Sequence, residues 1–192
     1  TERGDIQFNN EWMFRFHKMD FCILISKGLP PINGQNFMKN NSDKIIFHAT
    51  TTGYGGTILE PYVMPYIERL DKLKEFCDNG FPINQVVVRV DPIISTKKGV
   101  SLAKNVIQYA YNLGFHRFRY SFIDMYPHVR ARFIQNNVPI PIQDTSLAKV
   151  MFDEFENKYG EKICFESCAE NTKHKVGCIS KKDVEILKQT NI

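Results

Sequence analysis

Five places in this chain set polar or titratable residues directly after an apolar run, and those places are where chemistry would be expected. Lys27 follows FCILIS, and Thr51-Thr52-Gly53-Tyr54-Gly55-Gly56 follows KIIFHAT. Asp91-Pro92 follows QVVVRV, Asp124-Met125-Tyr126 follows RFRYSFI, and Ser167-Cys168-Ala169-Glu170 follows KICFE. A lysine at such a point can hold a carboxylate. Paired carboxylates such as Asp124 and Glu170 could do acid–base work. Cysteine thiolates are soft ligands for metals. Cys168 and Cys178 stand near the last of these points, and the chain has 5 cysteines in all. With no secretion signal in view, thiols or metal ligands are expected rather than a disulfide framework.

Each of these residues also has a plainer reading. TTGYGG lacks the Lys-Ser/Thr ending of a phosphate loop and reads equally as a glycine-permitted turn. Asp91 could simply end a strand, because the residue before proline is pushed away from helix. His48 lies inside an apolar run and reads as a core or barrel-interior histidine rather than a ligand.

The elements that must position these residues alternate. Apolar runs at Phe21–Ser26, Lys44–Thr50, Gln85–Val90, Arg117–Ile123 and Lys162–Glu166 read as strands buried on both faces. Between them, Pro65–Asn79 carries Ile67, Leu70, Leu73 and Phe76 at helical spacing, with Gly80 as its stop. Ser101–Gly114, a helix capped by Thr145 or Ser146 and running to Gly160, and Asp183–Gln189 follow the same logic, and Asn10–Lys18 reads as a weaker helix before the first strand. The long connection from Met125 to Asp144 reads as a short helix, Val129–Gln135, and an extended crossing. Strand–helix alternation predicts an α/β fold with a parallel sheet. The expectation is one domain over residues 1–192: a partial (βα)-repeat, TIM-barrel-like core with a curved sheet and helices outside. In such folds ligands bind at the carboxyl ends of the strands, so the five polar clusters would share one mouth.

Composition narrows the class. Of 192 residues, 43% are hydrophobic and 24% charged, as in ordinary globular domains. No apolar run approaches the ~20 residues of a membrane span, so no membrane partner is expected and placement defaults to the cytoplasm. The formal charge of +4 permits a polyanionic partner without demanding one. The chain starts on Thr1-Glu2-Arg3-Gly4-Asp5, and a complete barrel needs roughly 200–250 residues, so further residues at a terminus are expected.

In order along the chain, GDI, ISKG, TTTGYGGTILEP, MPYIERLDKL and VVVRVDPII resemble the strand ends of spore photoproduct lyase-like radical S-adenosylmethionine (radical SAM) proteins. YSFIDMY, CFESCAE and VGCISKKD resemble an uncharacterised bacterial family within that superfamily, whose members carry CxxxCxxC near the C-terminal end. The resemblance implies SAM and a [4Fe-4S] cluster as cofactors, hydrogen abstraction from an unknown substrate, possible action on nucleic acid, and an electron donor such as flavodoxin or ferredoxin. It implies SAM contacts for Asp5, Lys27, Thr51 and Asp91, with Lys27 on the methionyl carboxylate. Arg89, Asp124, Tyr126 and Glu170 would line the substrate side, and Cys168 and Cys178 could serve an auxiliary cluster with further cysteines downstream, or stand as two plain thiols.

The departure is that CxxxCxxC is missing: Cys164-x3-Cys168 is followed by Asn171 where a third cysteine would fall. The motif would then lie outside these residues, or the protein has kept the barrel without the cluster. Two other readings stand beside this one. Arg117, Arg119, Arg130 and Arg132, interleaved with Phe118, Tyr120, Tyr126 and His128, have the mixture of a single-strand nucleic-acid binder. Asp124 and Glu170 could instead serve a metal-independent barrel enzyme.

Overall fold

The structure is a computed structural model that describes residues 5–142, 144, 146–169 and 174–189. Five strands form one sheet: β1 (Cys22–Ser26), β2 (Ile45–Thr50), β3 (Val86–Ile93), β4 (Arg117–Phe122) and β5 (Cys164–Ser167). Their order is β1-β2-β3-β4-β5 and every pairing is parallel. The sheet is open, with β1 and β5 at its edges. An α/β fold with a parallel sheet is thus observed, and all five expected strands are present.

Helix α1 (Glu11–Phe16) precedes the sheet, α2 (Ile32–Asn40) joins β1 to β2, and α3 (Tyr66–Asp78) joins β2 to β3. Helix α4 (Lys97–Asn112) leads to β4, α5 (Pro127–Gln135) and α6 (Ser146–Tyr159) lead to β5, and α7 (Lys181–Gln189) comes last. Two elements differ from expectation. Helix α2 has few apolar residues in INGQNFMKN, so periodicity did not announce it; it is held by Met38, which is fully buried. Helix α4 begins one turn before Ser101, because Thr96 accepts a hydrogen bond from the Gly99 amide at 3.1 Å and caps it there.

Alternation along β2 sorts the two faces of the sheet. Ile45, Phe47 and Ala49 join Leu70, Leu73, Phe76, Val106, Ile107, Met151 and Phe165 in the main core. Ile46 faces the other way and packs with Val87, Ile186 and Leu187, so α7 covers part of the second face. Full burial of Leu70 and Leu73 contributes roughly 1.5–3 kcal/mol each. Ile67 and Val150, read from the sequence as core, are half exposed. Strand β3 also runs farther than QVVVRV suggests. It passes through Asp91 and a cis Asp91–Pro92 peptide to Ile93, so Asp91 lies within the strand rather than ending it. Among the described residues no helix is long and apolar enough to cross a membrane.

Candidate functional site

The first cluster forms where β1 ends. The Ser26 hydroxyl donates to Asp5 Oδ1 and accepts from the Gly28 amide at 3.1 Å, and Asp5 Oδ1 also accepts the Gln7 amide at 3.0 Å. Lys27 Nζ pairs with Glu60 Oε1, and Glu60 Oε2 accepts the Thr52 hydroxyl. Glu60 reaches this position because the β2–α3 loop doubles back: the Gly56 amide donates to the Glu60 carbonyl at 3.1 Å. Gly55 makes the return possible, since a Cβ there would lie 2.0 Å from the Met64 carbonyl oxygen.

Arg69, in the first turn of α3, points into the same region. It is 3% exposed and its Nη2 donates to the Ser26 carbonyl at 3.4 Å, while its Nε has no hydrogen-bond partner among the described residues. Burial lowers the guanidinium to about 10, with the Asp5 charge opposing, so it remains a cation at neutral pH. A cleft of about 430 Å³ opens beside these groups, lined by Asp5, Phe8, Lys27, Tyr62, Arg69 and Lys72. Phe8 and Tyr62 are 82% and 100% exposed and stand on it as free aromatic faces.

The second cluster sits on β3 and β4. Arg89 Nε donates to Asp91 Oδ2 at 2.7 Å, Arg89 Nη2 to Cys168 Sγ at 3.4 Å, and the Ser121 hydroxyl to Asp91 Oδ1. Burial works against the Arg89 charge, but the Asp91 charge and hydrogen bond outweigh it and raise its pKa. Cys168 Sγ lies 3.7 Å from Cys178 Sγ. Burial pushes the Cys168 thiol up, and the Arg89 charge works against that.

Below this lies a buried charged layer. The parallel register places Thr50, Arg89, Arg119 and Glu166 in one row across four strands. Arg119 pairs with Glu166, and Arg117 pairs with Asp183 at the start of α7. Asp183 Oδ2 also receives the Ser180 amide at 2.9 Å, and the Ser180 hydroxyl accepts the Asp183 amide at 3.2 Å, a reciprocal helix cap. His48 Nε2 is 3.8 Å from Asp183 Oδ2 in a fully buried setting. Desolvation keeps His48 below its usual pKa, against the opposing pull of Asp183.

Compared with known families, the sequence matches over residues 6–191 the one described as Domain of unknown function (DUF1848). The chain belongs to that family. No curated protein matches the chain, and no solved structure does. The DUF1848 match runs from before β1 to just past α7, so it takes in the second cluster, the charged layer and all of the first cluster but Asp5.

Within this DUF1848 chain, the residues singled out by sequence divide between places. Asp5 and Lys27 come together on the cleft. Asp91 is not among the residues lining that cleft, and its partners are Arg89 and Ser121, whereas those of Lys27 and Asp5 are Glu60 and Ser26. Thr51 is buried and its hydroxyl reaches its own strand at the Ala49 carbonyl, 3.4 Å away; it is Thr52 that faces the cluster. Asp124 and Tyr126 are exposed, with the Tyr126 hydroxyl 3.4 Å from Asp124 Oδ2. Glu170 lies outside the described residues.

Arg117 and Arg119 do not offer a nucleic-acid surface, because both are buried in ion pairs, and Phe118 and Tyr120 are core. Arg130 and Arg132 are exposed on α5. Among the described residues no three of His, Cys, Asp and Glu are grouped to hold a metal. Cys168 and Cys178 stand together as two thiols, and the further ligands that a [4Fe-4S] cluster requires are not among the described residues.

Sequence reasoning passed over Arg69, although ERL was among the resembling strings, because an arginine three residues into an amphipathic helix reads as solvated. It also passed over the Ser180-x-x-Asp183 cap, whose signature is visible in the sequence.

Proposed function

We propose that this chain is the SAM-binding core of a radical SAM-type enzyme, with the cleft beside Asp5, Lys27 and Arg69 as the SAM site. The observation that carries the reading is Arg69: a cation 3% exposed, on the wall of a cleft, with one buried donor unpaired. A cation held this far out of water is costly, and an anionic ligand group in the cleft would offset its charge. Lys27 supplies a second cation and Asp5 an acceptor for an ammonium or hydroxyl group. Phe8 and Tyr62 supply faces on which a purine would stack. The volume lies within the ~300–1,000 Å³ usual for small-molecule sites. The ordered motifs supply the class, in which SAM is cleaved reductively and hydrogen is abstracted from a substrate. On this reading the five parallel strands in sequential order are part of a TIM-barrel-like core, with the cleft at its mouth.

A second reading is favoured by the pairing of two thiols, Cys168 and Cys178, with no third ligand grouped beside them among the described residues. A cluster-less DUF1848 protein would keep the cleft and bind a SAM-like ligand without redox chemistry. Calorimetric titration with SAM tests the site, comparing the unchanged protein with Arg69→Leu. The expected result is saturable binding that weakens about 10–100-fold in the variant; equal affinity in both would remove Arg69 from the site. Anaerobic reconstitution with iron and sulfide, then reduction, separates the two readings. Release of 5′-deoxyadenosine supports the radical class, and SAM binding without release supports the cluster-less protein.

A further inference from the structure

We infer that Cys168 and Cys178 form a redox-active dithiol that closes reversibly to an intrachain disulfide. The inference does not rest on the cleft or on SAM. The two sulfurs are 3.7 Å apart, and each cysteine's backbone is held in place. The Cys168 amide extends the β4–β5 ladder by donating to the Tyr120 carbonyl at 2.9 Å. The strap at residues 174–178 runs parallel beside the end of β5, with Ser167 N donating to the His174 carbonyl at 2.8 Å and Val176 N to the Ser167 carbonyl at 2.9 Å. Gly177, at φ +78°, then turns the chain, and Arg119 Nη1 grips the Cys178 carbonyl at 2.7 Å. The sulfurs must approach to about 2.05 Å to bond, a shift of the order that side-chain rotation supplies.

Exposure sets the order of events. Cys178 is exposed and Cys168 half-buried, whereas Cys77 is buried on the main-core side of the sheet. The oxidant is a small-molecule disulfide. The Cys178 thiolate attacks one of its sulfurs and expels the first thiolate. Cys168 Sγ then attacks the Cys178 sulfur, forming the protein S–S bond and expelling the second thiolate. The protein loses two electrons and two protons, and the small disulfide is reduced to two thiols. Arg89 Nη2, donating to Cys168 Sγ, stabilises that sulfur as the leaving group when the bond is reduced again. Closure would tie the strap to the carboxyl end of β5, next to the Arg89–Asp91 pair.

The test equilibrates the protein with oxidised and reduced glutathione, quenches exchange with acid, blocks free thiols with an alkylating reagent in denaturant and maps peptides by mass spectrometry. The expected result is a linked peptide containing Cys168 and Cys178 that disappears with dithiothreitol, while Cys22, Cys77 and Cys164 stay alkylatable. Cys168→Ser should trap glutathione on Cys178, and Cys178→Ser should leave Cys168 largely unmodified. A wild-type protein carrying glutathione separately on both residues would overturn the inference. So would two thiols that stay free in excess oxidised glutathione, or an iron–sulfide reconstitution that consumes both.

Discussion

Asp183 of α7 forms an ion pair with Arg117 of β4 across 66 positions of sequence, with side chains 0% and 7% exposed. The same carboxylate lies 3.3 Å from Arg119, so one acid on the last helix compensates two cations on a central strand. Removing it leaves buried charge without its counter-charge and removes the cap on α7. Asp183→Ala should cost about 3–5 kcal/mol, read as a lower midpoint in urea unfolding. A loss below ~1 kcal/mol would mean that water reaches the arginines.

The charged layer also sets an acid limit on stability. Burial opposes ionisation of Asp183, but the His48 imidazole 3.8 Å away, the Ser180 amide hydrogen bond and the Arg117 charge hold its carboxyl well below the usual carboxylate range. A depressed carboxylate contributes stability that is full above the unfolded value of about 3.9 and is lost as pH falls through the folded one. His48 acts earlier. Its folded pKa is lowered, so below about pH 6.5 the unfolded chain takes up a proton that the folded chain refuses, and stability declines. Chemical unfolding at stepped pH should show a decline starting near pH 6.5. His48→Leu should flatten that upper limb, while a reduced carboxylate limb persists through the Ser180 amide and Arg117.

Gly55 governs the placement of Glu60. In Gly55→Ala the new methyl group meets the Met64 carbonyl, and the loop must shift. Glu60 should then release Lys27, which acylation footprinting would detect as faster modification of Lys27. An unchanged rate would show that the loop absorbs the methyl elsewhere.

The sheet was legible because FCILIS, KIIFHA and VVVRV are short, largely apolar runs between stretches of helical spacing. Burial on both faces holds along the whole of β2 but not of edge strand β1, where Ile25 is 44% exposed. What the sequence did not reveal is which strand-end residues meet. Lys27 and Asp91 sit at equivalent places in the pattern, yet Lys27 is held by Glu60 from a returning loop and Asp91 by Arg89 from its own strand. Such partners depend on loop geometry and register, which periodicity does not carry. The arginines of RFRYSF misled for a related reason: alternation places Arg117 and Arg119 on one face, but only α7, arriving more than sixty residues later, turns that face into an interior.

The most direct measurement of the central claim is hydrogen–deuterium exchange with and without SAM. Binding between Asp5, Lys27 and Arg69 should slow exchange in residues 5–8, 26–29 and 62–72 and leave β5 and the 174–178 strap unchanged. Protection confined to β3 and the strap, or none at saturating SAM, would contradict the account.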